Sequence, residues 1–95
     1  MSVIAEVAGT YVYGEIPCKG KIVIVSQDEV HGTVTASFYM YTLTGELLGG
    51  RGKTYFMGIG NFDEDKLIAM VVEDIRKFRS ERTKLFLNVT FNRIT

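Results

Sequence analysis

Strict alternation of residue types between Thr33 and Leu43 is the feature that most constrains the fold of this chain. One set of alternate positions is apolar and holds Val34, Ala36, Phe38 and Met40. The other set is polar or aromatic and holds Thr33, Thr35, Ser37, Tyr39 and Tyr41. Successive side chains of a strand point to opposite faces, so this pattern predicts a strand with one core face and one polar, aromatic face.

Other segments predict further strands. Lys84 to Phe91 alternates in the same way, with Leu85 and Leu87 on the expected core face, and Lys21 to Gln27 is apolar on both faces, as is typical of a central strand. Val3 to Tyr13 is also predicted to be a strand, with a bulge at Gly9.

Turn residues separate these segments. Gly14 to Gly20 contains the single proline, Pro17, and is predicted to be a connection. Asp28 to Gly32 and Thr44 to Glu46 are predicted turns, the second leading into a strand that starts near Leu47.

One segment has helical rather than strand periodicity. Asn61 is the predicted N-cap, Glu64 three residues later completes a capping box, and we expect the helix to end near Glu81. Its apolar residues fall on one arc and are Leu67, Ile68, Val71, Val72, Ile75 and Phe78. The order β-β-β-β-α-β predicts an α+β fold, a mainly antiparallel twisted sheet of about five strands with one amphipathic helix on one face. Residues 1–95 are expected to form a single compact domain.

Composition limits the classes of function. The 95 residues are 46% hydrophobic and 23% charged, which favours a folded domain over disorder. Eleven basic and eleven acidic residues cancel, so no long-range field attracts nucleic acid or an anionic membrane. The sequence shows no secretory signal and no membrane-length apolar run, and its single cysteine agrees with a reducing compartment. We therefore expect a cytoplasmic protein.

Motifs that resemble known sites are incomplete. Gly52-Lys53-Thr54 ends like a phosphate-binding loop, but a strand is predicted to follow it where a helix is required. The acidic residues after Gly58-Ile59-Gly60 suit helix capping better than binding of a dinucleotide or calcium. No metal, cofactor or catalytic set is predicted, so we expect a protein that is not an enzyme. A nucleophilic pair of Cys18 and His31 stays open, because the fold could bring the two together.

One helix covers one face of a sheet, so the opposite face meets water or a partner. Tyr39 and Tyr41 are predicted to project from that face, as is Phe86 if Leu85 and Leu87 are core. Tyr11, Tyr13 and Tyr55 could join them. The leading hypothesis is a small non-catalytic binding protein, a regulator, inhibitor or assembly factor that contacts a protein partner or associates with itself. Cross-strand packing of the same rings is the alternative that involves no partner.

Basic residues support a second hypothesis, the binding of nucleic acid or a phosphorylated ligand. The residues predicted for this role are Arg51, Lys53, Arg76, Lys77, Arg79 and Arg82. The helical members spread over a wide arc, and Glu73 is spaced to pair with Lys77, so a solvated helix face explains the same pattern. The zero net charge favours a protein partner over nucleic acid.

Overall fold

The computed structural model describes residues 2–11, 14–78 and 86–94, which form an antiparallel sheet and one helix. The elements are β1 (Ser2–Tyr11), β2 (Ile16–Asp28), β3 (Thr33–Thr42), β4 (Leu47–Phe56), α1 (Glu64–Lys77) and β5 (Phe86–Arg93). The strand order is β4-β3-β2-β1-β5, so β2 is central, as its two apolar faces predicted. The predicted fold class and order of elements are confirmed.

The helix α1 is shorter at both ends than predicted. Its N-cap is Asp63, whose carboxylate accepts hydrogen bonds from the backbone N–H groups of Asp65 and Lys66 at 3.0 and 3.2 Å. Asn61 instead closes the turn after β4, because its N–H donates to the carbonyl of Gly58. The last helical residue is Lys77 and not Glu81, since Phe78 has an extended backbone with ψ of 128°.

The core lies between α1 and one face of the sheet. Helix residues Leu67, Ile68, Val71, Val72 and Ile75 are buried there, as the helical arc predicted. Phe78, the sixth residue of that arc, is half-buried beyond the end of the helix and meets Phe38 edge to face, with ring centroids 5.3 Å apart.

A bulge in β5 changes the alternation that the sequence suggested for this strand. Ala8 pairs with Thr90 and Thr10 pairs with Leu87, so two β5 residues face Gly9 of β1. Asn88, one of the two, has a positive φ of 54°. The predicted irregularity at Gly9 is therefore present, but the extra residue belongs to β5. Phe86 consequently points into the core while Leu87 is exposed, the reverse of the prediction, and Leu85 lies outside the described residues.

The predicted connection from Gly14 to Gly20 is wrong, because β2 already begins at Ile16. Pro17 pairs with Thr10 of β1, whereas β3 ends at Thr42, opposite Cys18. Pro17 therefore has a strand on one side only, a position at which the missing N–H of proline is tolerated. The two predicted turns, between β2 and β3 and between β3 and β4, are confirmed.

Candidate functional site

The face of the sheet opposite α1 carries the two tyrosines of β3, and we call it the tyrosine face. Phe38 and Met40 are buried beneath the helix, so the alternation places Tyr39 and Tyr41 on the other side. Both tyrosines are half-buried. The helix packs against β5, β3 and β1 on the core side, and no described element packs on the tyrosine face.

Tyr39 owes part of its burial to a glycine on the neighbouring strand. It pairs with Gly50 of β4, and a Cβ atom at Gly50 would lie 3.0 Å from Cδ1 of Tyr39. The ring therefore packs against the glycine backbone. Such packing of an aromatic ring on a cross-strand glycine is a known stabilising device in sheets.

Lysines flank the tyrosines on their other side. Lys21 pairs with Tyr39 and Lys19 pairs with Tyr41 across the β2–β3 ladder. Lys21 also faces Glu6 of β1, so part of this positive charge is matched on the same face. The tyrosine face therefore has a mixed charge, in which one of the two lysines faces a carboxylate.

The middle of the tyrosine face is apolar and well packed. Val23 and Ser37 pair across β2 and β3 and are only 5% and 8% exposed, although no helix covers them. Three exposed apolar residues lie on the same face, where Val3 pairs with Val23, Leu47 with Tyr41 and Leu87 with Thr10. Together the buried centre and these exposed apolar residues give a surface against which a partner can pack.

Three other aromatic residues predicted for this surface are in the core. Phe86 points inward because of the bulge at Asn88, and its ring lies 5.1 Å from that of Tyr11, which is also buried. Tyr55 pairs with Val34, a core residue of β3, and so faces the helix. Tyr13 lies outside the described residues. The predicted set of six therefore reduces to Tyr39 and Tyr41 among the residues described.

Tyr55 links β4 to the helix through a polar contact. Its hydroxyl donates a short hydrogen bond to the Oδ2 atom of Asp74. Burial, and then this bond to a carboxylate, raise the pKa of the Tyr55 phenol well above its usual value of 10.0. Lys53 lies 3.6 Å from the same carboxylate oxygen and 5.2 Å from the centre of the Tyr55 ring. Lys53 therefore helps to hold β4 against the helix through its contacts with Asp74 and Tyr55.

The basic residues predicted to bind anions do not converge. Arg51 and Lys53 are on β4, whereas Arg76 of α1 donates a hydrogen bond to the carbonyl of Val89 on β5, at the other edge of the sheet. Glu73 was expected to pair with Lys77, but it forms an ion pair with Arg76 instead, at 2.9 Å. Lys77 is exposed, and Arg79 and Arg82 lie outside the described residues.

A pocket at one end of the sheet was missed by the sequence analysis. It lies between the β2–β3 turn and the connection from β4 to α1, where the carbonyl of Gly32 accepts hydrogen bonds from the N–H groups of Met57 and Gly58 at 2.8 and 3.1 Å. Its lining includes Glu29 and Phe62. The glycines marked both turns in the sequence, but nothing in it showed that the turns meet.

Cys18 and His31 are far apart. Asp28 lies ten residues after Cys18 along β2, a distance of about 33 Å in an extended strand. His31 follows in the turn, with its Nδ1 atom 2.7 Å from Oδ2 of Asp28. Burial raises the pKa of the Cys18 thiol. The structure thus rules out the nucleophilic pair that the sequence left open.

The described residues lack the features of two other kinds of site. They contain no group of three or more His, Cys, Asp and Glu side chains that could hold a metal ion. Within the same ranges, no helix is both long and apolar enough to cross a membrane. Comparisons of the chain with protein families, with curated proteins and with solved structures found no match.

Proposed function

We propose that this chain is a non-catalytic binding protein that recognises a protein partner through its tyrosine face. The observation that carries the proposal is a sheet face with two half-buried tyrosines that no described element covers. Tyrosine supplies a large contact area with few rotatable bonds and is enriched at the centres of interfaces. Such a protein would act as a regulator, inhibitor or assembly factor by occupying a surface of its partner.

The charge of this face supports a protein partner more than nucleic acid. Binding to a phosphate backbone needs several cations without matching acids. Here Lys21 faces Glu6, Lys53 lies 3.6 Å from a carboxylate oxygen of Asp74, and Arg76 forms an ion pair with Glu73. Association of the chain with itself through the same face is one form of the proposal.

The test replaces both rings, as Tyr39→Ser with Tyr41→Ser. We expect this double variant to lose partner capture from lysate, or to lower the oligomer mass in light scattering, while its circular dichroism stays that of the folded protein. Ile59→Ser with Phe62→Ser is the matched control, since it removes two exposed apolar side chains from the β4–α1 connection. The control should keep both properties.

Two results would count against the proposal. Unchanged capture together with unchanged mass would show that the tyrosines pack only within their own sheet. Capture that falls steeply as salt is raised, and that recovers nucleic acid, would point to phosphate contacts at the basic residues.

A further inference from the structure

We propose that the outer edge of β4 accepts an extended acidic segment of a partner protein as a sixth strand. This rests on the proposed function in one respect, namely that the partner is a protein. β4 is the first strand in the sheet order and pairs only with β3, and no described residue pairs with its outer edge. Its outward N–H and C=O groups are therefore a template for another strand.

The two edges of the sheet are not equally suited to pairing. β5 is interrupted by the bulge at Asn88, a device that keeps an edge from extending a sheet. The irregularity of β4 is confined to its start, where Leu48 is the extra residue, so Gly49 to Phe56 pairs with β3 without interruption. The regular edge is the one open to a partner.

Charge indicates the chemistry of the segment. Arg51 and Lys53 are alternate residues and point to the same side of β4. Arg51 is exposed and forms no ion pair with any described residue, whereas Lys53 shares Asp74 at 3.6 Å. An added strand would place two side chains, two residues apart, beside these cations. Carboxylates at those positions complement them, because opposite charges on neighbouring strands attract.

The residue between the two carboxylates would face Gly52, on the other side of β4. A Cβ at Gly52 would meet Oγ of Ser37 at 3.0 Å from the β3 side. Because Gly52 has no side chain, a ring on the added strand can lie across it, as Tyr39 lies against Gly50. The expected pattern is therefore acid, aromatic, acid.

A second copy of this chain meets repulsion at the same edge in the two antiparallel registers that centre on Gly52 and Arg51. Antiparallel pairing of two β4 strands about Gly52 would set Arg51 opposite Lys53 of the other copy, and pairing about Arg51 would set it opposite itself. Like charges directly opposite each other destabilise a strand pair. The described β5 segment has no acidic residue, so it does not supply the complement either.

The experiment measures binding of a labelled seven-residue peptide, Thr-Val-Glu-Tyr-Glu-Val-Thr, by fluorescence anisotropy. A second peptide has lysine in place of both glutamates, and a third has the glutamates but N-methyl groups at alternate backbone positions. We expect the first peptide to bind and the other two to bind at least about tenfold more weakly. Arg51→Glu should weaken the glutamate peptide by about tenfold and improve the lysine peptide.

Controls separate this edge from the tyrosine face. Lys19→Glu makes the same charge change on β2, beside Tyr41, and Tyr41→Ser removes a ring of the tyrosine face; both should leave peptide binding unchanged. Loss of binding in these two variants, with Arg51→Glu unaffected, would overturn the edge proposal and favour the tyrosine face. Intact peptide binding, together with unchanged capture and unchanged oligomer mass in Tyr39→Ser with Tyr41→Ser, would leave the edge supported and the tyrosine face rejected.

Three further outcomes would overturn the edge proposal. They are no binding of the glutamate peptide at millimolar concentration, equal binding of its N-methylated form, and tighter binding of a ten-residue thymidine oligonucleotide than of the peptide. The last would assign Arg51 and Lys53 to nucleic acid. Circular dichroism of Arg51→Glu verifies its fold, and an Arg51→Gln variant with an intermediate loss of binding provides an independent check.

Discussion

The ring of Phe78 stacks on the ring of Phe86, with centroids 5.9 Å apart and an interplanar angle of 15°. The residue that follows the helix thus touches the first residue of β5. Phe78 also meets Phe38 and lies 3.1 Å from the position of a Cβ at Gly49, so it closes the core beside the start of β4.

We predict that Phe78→Ala lowers the free energy of unfolding by about 2 kcal/mol. This is below the roughly 3–5 kcal/mol of a fully buried phenylalanine, because Phe78 is half-buried. Phe56→Ala is the control, since that ring is 72% exposed and its loss should change stability by less than about 0.5 kcal/mol. Equal effects in chemical denaturation would contradict the packing described for Phe78.

Periodicity was enough to predict the sheet, the helix and the central position of β2, because burial on one face or two leaves a direct mark on the sequence. It failed for β5, where one extra residue at Asn88 reverses the facing of Phe86 and Leu87. A bulge depends on pairing with β1, far away in the chain, and residues 84–91 carry no local sign of it. Three of the six aromatic residues predicted for the exposed face, Tyr11, Tyr55 and Phe86, are buried instead. Their facing depends on how the strands pair, which the sequence does not show.

The helix start shows a similar limit. Asn61 and Asp63 both have side chains that can cap a helix, and propensity alone does not choose between them. The choice depends on the turn after β4, in which Asn61 binds Gly58. The contact between the β2–β3 turn and the β4–α1 connection at Gly32 also depends on residues that are far apart in the chain, so the sequence did not predict it.

Gly20 has no room for a side chain. A Cβ there would lie 2.3 Å from the carbonyl oxygen of Tyr39 and 2.4 Å from Sδ of Met40. We predict that Gly20→Ala costs about 2 kcal/mol in denaturant unfolding, because the backbone of β3 must move. Gly52→Ala should cost less than about 1 kcal/mol, since its nearest contact is a side chain that can rotate. A smaller cost at Gly20 than at Gly52 would contradict the close strand approach.

The raised pKa of Tyr55 predicts a loss of stability in alkali. Because the neutral phenol is favoured in the native state, its stabilising contribution is complete below the unfolded value of 10.0 and is lost as pH rises through the higher native pKa. Asp74→Asn should lower the native pKa of Tyr55, as seen by ultraviolet titration of the tyrosines. Glu73→Gln, at a neighbouring exposed position, should leave it unchanged.

The lowered pKa of Asp28 predicts a loss of stability in acid, whereas the raised pKa of Tyr55 predicts one in alkali. Its side-chain hydrogen bond with His31 lowers the pKa of the carboxyl below the usual 3.8. The resulting stabilisation is present above pH 3.8 and is lost as pH falls through the lower native pKa. In carboxyl NMR titrations, His31→Ala should raise the pKa of Asp28, and no change would show that the contact is absent in solution.

The Cys18 thiol is predicted to be inert in the folded protein. It is buried, and burial raises its pKa, so little thiolate forms at neutral pH. Labelling by iodoacetamide should be slow in buffer and rapid in concentrated guanidinium chloride. Rapid labelling of the native protein, with the fold intact, would contradict the burial of this residue. Cys18→Ser should likewise leave partner capture intact.

Pairing of β1 with β5 has a consequence for how the chain reaches this structure. β1 and β5 are far apart in the chain, and their ladder joins Tyr11 to Phe86. The other described strand pairs, β1–β2, β2–β3 and β3–β4, each join consecutive strands. Closing so long a loop costs more entropy than forming a hairpin, so we expect the four-strand meander to assemble before β5 arrives. During that interval β1 is itself an unpaired edge, and two molecules at this stage can join along it. Refolding yield should therefore fall as protein concentration rises, and variants that delay the return of β5 should aggregate most.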